Sequence, residues 1–308
     1  MKLAWASDVH LVFLSSNGRG SQQTLQGWLK RLASESFDAL AISGDISEAP
    51  CLHEHLGLLE KHVARPIYFV LGNHDYYRGS IARVLPAVRT FTATASHLHC
   101  METIEYIELN SKTALVGHGC WGDGGYGDLR NSCIMLNDWK LIEELKKWRR
   151  GPWSLTCMSS CGKCEEEVTK LKVHPEDLDR ESIAEQLYAL GQRAAEHLRQ
   201  SLPQALQSKP NVVLLTHTPP FAPRCVRTKT DWDAWAPHAG CKAAGDVIQE
   251  VMQDFPHRRL LILSGHVHCS SCIQVSRNIE QRTAAAQYGA PGIEETIELP
   301  STPDGGTQ

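Results

Sequence analysis

The sequence predicts an α/β fold built on a parallel sheet, and three observations carry that prediction. Short apolar runs alternate with longer amphipathic stretches through the first third of the chain, in the order βαβαβ. Each apolar run stops on a cluster of polar residues, as strands do where the edge of an open sheet forms a site. Hydrophobic residues make up 42% of the 308, enough for the core of one large domain.

Taken in order, residues 3–6 read as the first strand, ending on Ser7-Asp8-Val9-His10. Residues 22–33 have helical spacing, and 39–43 form a second strand ending on Gly44-Asp45. A second helix over 52–63 leads to a third strand over 67–71, which ends on Gly72-Asn73-His74-Asp75. Crossover helices between parallel strands put these three ends on one edge. Further runs at 113–116, 211–216 and 259–263 end on Gly117-His118, on His217 and on Ser264-Gly265-His266-Val267-His268. From 137 to 206 the pattern changes to charged helical stretches, at 138–150 and 175–202, with an irregular loop over 151–168. A helical cap or insertion beside the sheet is expected there. The main domain is expected to span 1–299, and the polar tail 300–308 to be flexible.

A formal net charge of -4 gives no broad basic field to hold a nucleic-acid backbone. The one dense basic cluster, Lys146, Lys147, Arg149 and Arg150, reads first as the solvated last turn of a helix. No apolar run approaches the roughly 18 residues of a membrane span, and Met1 runs into the first motif without a signal-peptide pattern. A cytoplasmic protein is expected. The 11 cysteines are odd in number and scattered, which fits reduced thiols better than a secreted disulfide framework. Cys161 and Cys164, with Cys157 nearby, have the spacing of half a zinc knuckle, and Cys269 and Cys272 repeat it. Packing is the first reading of the second pair, a redox disulfide the next.

The strand-end clusters point to metal chemistry. A given D-x-H triplet arises by chance on the order of once in such a chain, so Asp8-Val9-His10 alone decides nothing. A specified string such as Gly72-Asn73-His74-Asp75 is expected on the order of 0.002 times, and Gly265-His266-Val267-His268 roughly 0.05 times. Their joint presence at strand ends is informative, because histidines and aspartates gathered without a cation would be costly to bury. Two divalent ions need a bridging anion, and Asp45 is the candidate. Asp8, His10 and His268 would complete one ion, and Asn73, His217 and His266 the other. A mixed carboxylate, imidazole and amide set suits Mn, Fe or Zn. His53, His55, His62, His97, His99, His197 and His257 lack such company and read as surface or packing residues.

These blocks resemble the signature of the calcineurin-like metallophosphoesterases: Asp8-Val9-His10, Gly44-Asp45-Ile46-Ser47-Glu48, Gly72-Asn73-His74-Asp75, His217 and Gly265-His266-Val267-His268. The resemblance implies a four-layer αββα sandwich of two mixed β-sheets flanked by helices, with metals at the loop edges. It also implies that His74 is an active-site histidine that binds neither ion, and that Asp75 is the acid orienting it. The expected reaction is hydrolysis of a phosphate ester, a small phosphodiester first, by a hydroxide bridging two divalent metal ions. Asn73 would also stabilise the phosphoryl oxygens, and His74 would protonate the leaving group. In the glycine-rich loop 117–128, His118, Trp121 or Tyr126 is a candidate for the substrate pocket, against the alternative of a tight packed loop. Trp232 and Trp235 pose the same choice between lid and packing. A nuclease on DNA or RNA is the near competitor, and a non-catalytic scaffold the distant one.

Overall fold

Side chains alternate in direction along a strand, and in this chain both directions are apolar, so each sheet must be covered twice. The computed structural model describes residues 1–14, 24–132, 134–146, 179–227 and 232–301, and shows how this is met. One sheet has five strands: β1 (Lys2–Ala6), β2 (Ala39–Ser43), β3 (Ile67–Val70), β4 (Leu98–Cys100) and, far along the chain, β11 (Glu295–Glu298). Its order is β11-β1-β2-β3-β4, parallel throughout except that β11 runs antiparallel to β1. The other sheet takes β5 (Ile107–Glu108), β6 (Thr113–Gly117), β7 (Asn211–Leu215), β8 (Arg259–Ser264), β9 (Ser271–Ser276) and β10 (Ile279–Thr283) in the order β5-β6-β7-β8-β10-β9. Both sheets are mixed, and helices flank them: the expected four layers.

The period of two separates the cores. Leu3 and Trp5, Ala39 and Ala41, and Tyr68 and Val70 face Leu115, Val213, Leu215 and Leu263 in the space between the sheets. The intervening residues Ala4, Leu40, Ile42 and Phe69 face helices α1 (Leu25–Ser34), α2 (Ala49–Val63) and α3 (Ile81–Thr92). Ala114, Val116, Val212 and Leu214 face the helices Arg180–Ser208 and Lys242–Gln253. Thr24 caps α1, its hydroxyl accepting from the Gly27 N–H at 3.1 Å, and Ala64 ends α2 in the left-handed conformation.

In the region expected to form a helical cap or insertion, the helix at Arg180–Ser208 packs on both cores: its C-terminal half, Ala194 to Leu206, covers the second sheet, and its N-terminal half reaches the first core through Ile183 and Leu187. Only the short helix Asp138–Leu141 and a 3-10 turn at Glu143–Leu145 precede it among the described residues. Residues 147–178 and 302–308, with the expected loop, Cys157, Cys161, Cys164, Lys147, Arg149, Arg150 and most of the tail, lie outside them.

Candidate metal centre

The ends of β1, β2, β3, β7 and β8 meet at one edge of the sandwich, where their turns are laced together. The Asp8 N–H donates to the Gly44 carbonyl at 3.1 Å, that of His10 to the Asp45 carbonyl at 2.9 Å, and that of Gly265 to the His217 carbonyl at 2.9 Å. Asp8, His10, Asp45, His266 and His268 all have positive φ, between 41° and 70°. Side chains rarely adopt this left-handed backbone, and its occurrence at five clustered residues is the kind of strain kept where a site requires it. Gly72 lies so close to the Asp45 carboxylate and the His217 ring that a Cβ would strike both.

Two groups of donors result, and Asp45 belongs to both. In the first, the ligating atoms of Asp8, His10, Asp45 and His268 all lie within 4.8 Å of one another. His268 Nε2 is 3.2 Å from Asp8 Oδ1 and 3.2 Å from His10 Nε2, and His10 Nε2 is 3.7 Å from Asp45 Oδ2. In the second, Asn73 Oδ1 faces His217 Nε2 at 3.0 Å and His266 Nδ1 at 3.2 Å, and Asp45 Oδ1 is 3.4 Å from His217 Nε2. Asp45 thus turns one oxygen to each group.

Hydrogen bonds on the outer side settle which nitrogens carry protons in the second group. His217 Nδ1 lies 2.9 Å from the Ser43 carbonyl, and His266 Nε2 lies 2.9 Å from that of His238. A carbonyl only accepts, so in the neutral rings those nitrogens are protonated and the inward ones are bare lone pairs. Burial keeps the rings neutral, pushing His266 down to about 4, His10 to about 3 and His217 below its usual range. Burial, with the charges of Asp8 and Asp75, raises Asp45 well above the carboxylate range. Lone pairs that face an amide oxygen with no proton between them repel unless a cation sits there. The donor set therefore fits a binuclear divalent metal centre, with nitrogen and oxygen ligands in each half.

His74 stands beside both groups, its Nε2 4.0 Å from Asp45 Oδ2. Burial, followed by the neighbouring imidazoles, lowers it to about 2. The expected orienting role of Asp75 is not what the structure shows. Its carboxylate accepts from the N–H of Ser47 at 2.7 Å and of Gly72 at 2.9 Å, binding two strand-end turns together, while His74 Nδ1 is buried without a hydrogen-bond partner among the described residues. Packing orients the His74 ring instead. Tyr77 stacks on it with centroids 4.1 Å apart, and His10 meets it edge-on at 4.5 Å.

Asn73 is held from its far side. Its amide nitrogen donates to Asp138 Oδ1 at 2.9 Å and lies 3.3 Å from the Tyr77 hydroxyl, which donates to the same carboxylate oxygen at 2.7 Å. His118 does not line the recess beside Asn73. Its Nδ1 accepts from the Cys120 N–H at 2.9 Å, its ring lies against His197, and burial lowers it to about 3. Trp121 does line that recess, with Asn73, Asp138, Leu187, His238 and His266. Tyr126 packs inward, its hydroxyl donating to the Pro220 carbonyl at 2.7 Å. Cys269 pairs with Cys225 in a disulfide rather than with Cys272, which is an exposed free thiol. The side chain of Trp232 lies outside the described residues, and Trp235 is partly exposed.

Sequence reasoning missed Asp138, Tyr77, Phe13 and Tyr288. Tyr288 lies over the first group, 4.5 Å from the His10 ring and 5.0 Å from that of His268, and meets Phe13 at 4.8 Å. Both aromatics are nearly half exposed, so they form an open rim. No helix among the described residues is long and apolar enough to cross a membrane.

Comparison with known proteins agrees with this fold. A phosphopantetheinyl hydrolase from Mycobacterium tuberculosis superposes with a TM-score of 0.55 at 15% identity, over 94% of this chain and 90% of that one. A dimetal phosphatase from Danio rerio superposes with a TM-score of 0.50 at 12% identity, over 94% and 89%. At these identities the likeness is one of fold. No curated protein sequence matches the chain. The family model for calcineurin-like phosphoesterases matches residues 1–270, the span that carries every donor described above, and the chain belongs to that family of metal-dependent hydrolases of phosphoester bonds.

Proposed function

We propose that the chain hydrolyses a small phosphodiester, with Asp8, His10 and His268 holding one divalent ion, Asn73, His217 and His266 the other, and Asp45 shared between them. The observation that carries this reading is the pair of inward-facing donor groups joined by the two oxygens of one buried carboxylate. When bound, two such ions supply Lewis acidity to the phosphoryl oxygens and acidify a water to serve as nucleophile. Mn, Fe and Zn all suit the ligands.

The chain's own residues do the rest. Asp45, Asp8 and the neutral imidazoles set the charge of the site, and the laced turns hold their positions before substrate arrives. His74 reaches the site without belonging to either group, so it is placed to give a proton to the leaving oxygen once the negative charge of a bound phosphate opposes the burial that keeps its ring neutral. The stacked Tyr77 keeps its ring in plane. The open rim of Phe13 and Tyr288 favours a small organic group on the phosphate.

Protein stripped with a chelator should hydrolyse neither bis(4-nitrophenyl) phosphate nor 4-nitrophenyl phosphate, and Mn(II) should restore the diesterase rate first. Activity that survives exhaustive chelation, with no metal found by elemental analysis, would refute the reading. Restored activity confined to the monoester would refute its diester part alone.

A further inference from the structure

The stretch that holds Asp138 contributes no donor to either group, yet Asp138 is buried against the second one. Its Oδ1 accepts from Asn73 Nδ2 at 2.9 Å and from the Tyr77 hydroxyl at 2.7 Å. A carboxylate only accepts, so it admits only the NH2 end of the Asn73 amide. The amide oxygen is thereby forced to face His217 and His266. A flipped Asn73 would set its oxygen against the Asp138 carboxylate and aim N–H groups at any cation. The same oxygen of Asp138 anchors the Tyr77 hydroxyl, and the Tyr77 ring stacks on His74 with an interplanar angle of 29°.

Resting on the binuclear reading above, we propose that Asp138 is the positioning residue of this centre: it fixes the polarity of the Asn73 ligand and, through Tyr77, the plane of the His74 ring. One carboxylate thus joins metal binding to leaving-group protonation. It does the orienting that the family resemblance implies for Asp75.

Asp138→Asn is nearly isosteric and can present either end of its amide to Asn73, so the bias against the flip is lost. Mn(II) titration of the chelated proteins by calorimetry should show one of the two ions bound about 10–100-fold more weakly in D138N, the range known for residues that orient a ligand. The other ion, held by Asp8, His10 and His268, should bind as in the wild type. The melting temperature of the chelated variant tells whether a general loss of structure is responsible, and it should stay near the wild-type value. Tyr77→Phe removes only the hydroxyl and carries the test should D138N fail to fold. It should slow alkyl phosphodiesters more than nitrophenyl ones, because only the former need a well-placed proton donor.

Two ions bound by D138N with wild-type affinities would overturn the proposal. So would a Y77F enzyme with an unchanged ratio of alkyl to nitrophenyl rates. A wild-type chain that takes up no Mn(II) would overturn the binuclear reading itself, before any variant is compared.

Discussion

His74 touches the metal donors without being one of them, which makes its replacement diagnostic. His74→Asn should leave both ions bound and slow hydrolysis of an alkyl phosphodiester by about 10²–10⁴-fold, the usual worth of a general acid. The defect should shrink for nitrophenolate, which departs as an anion. Equal loss on both substrates, or a metal missing from the variant, would make His74 a ligand or a structural residue. At this scale the sequence was readable where a residue's place in the candidate site follows from its place at a strand end. Asp8, His10, Asp45, Asn73, His217, His266 and His268 all lie at such ends, and the structure brings them together. It was unreadable where the role depends on a distant partner. Asp138 acts on a residue 65 positions away, and Tyr288 covers a histidine that begins the chain's first turn. The orienting role that the family resemblance implies for Asp75 has no counterpart in its hydrogen bonds, since its carboxylate accepts from backbone N–H groups.

Among elements, the helix Arg180–Ser208 separates what periodicity can and cannot tell. Its existence follows from the spacing of apolar residues, but charged positions on its solvent face suggested a cap. The structure shows it as a wall of the second sheet, with Leu198, Leu202, Ala205 and Leu206 fully buried. Leu198→Ala should therefore destabilise the fold by about 2–5 kcal/mol, the cost of a core leucine with its cavity. Tyr188→Ala on the same helix, where the side chain is 61% exposed, should fall within about 0.5 kcal/mol. Urea unfolding of the two variants checks this. Comparable small losses in both would mean that the helix does not wall the core. The strands were the better predicted elements, because an apolar run that stops on polar residues has few other readings. Their assignment to two sheets was beyond reach of periodicity, since β11 joins β1 from the far end of the chain.

For the whole molecule, the balance of buried titrating groups predicts how stability responds to acid. Nine histidines among the described residues are lowered by burial: His10, His55, His74, His99, His118, His197, His217, His238 and His266. In the unfolded chain each titrates near 6.5. Below that pH the unfolded state binds protons that the folded state refuses, so stability falls on acidification by up to about 1.4 kcal/mol per pH unit for each deeply buried ring, and by less for the partly exposed His55 and His99, which solvent screens. Five carboxylates act in the opposite sense. Asp75 and Glu102 are raised to about 7 by burial, and Asp45, Asp138 and Glu294 are raised with them. These take up protons in the folded state as pH falls from 7 toward the usual carboxylate range, and they recover part of the loss. Nine against five leaves a net loss between pH 6.5 and 4.5. The urea midpoint of chelated protein should therefore fall from pH 7 to pH 5. With Mn(II) bound the midpoint should start higher, because an ion held only by the folded state adds stability, and it should fall more steeply, because protons compete with metal for the same lone pairs. A midpoint that rises on acidification would mean that the carboxylates, and not the imidazoles, govern the buried charge of this protein.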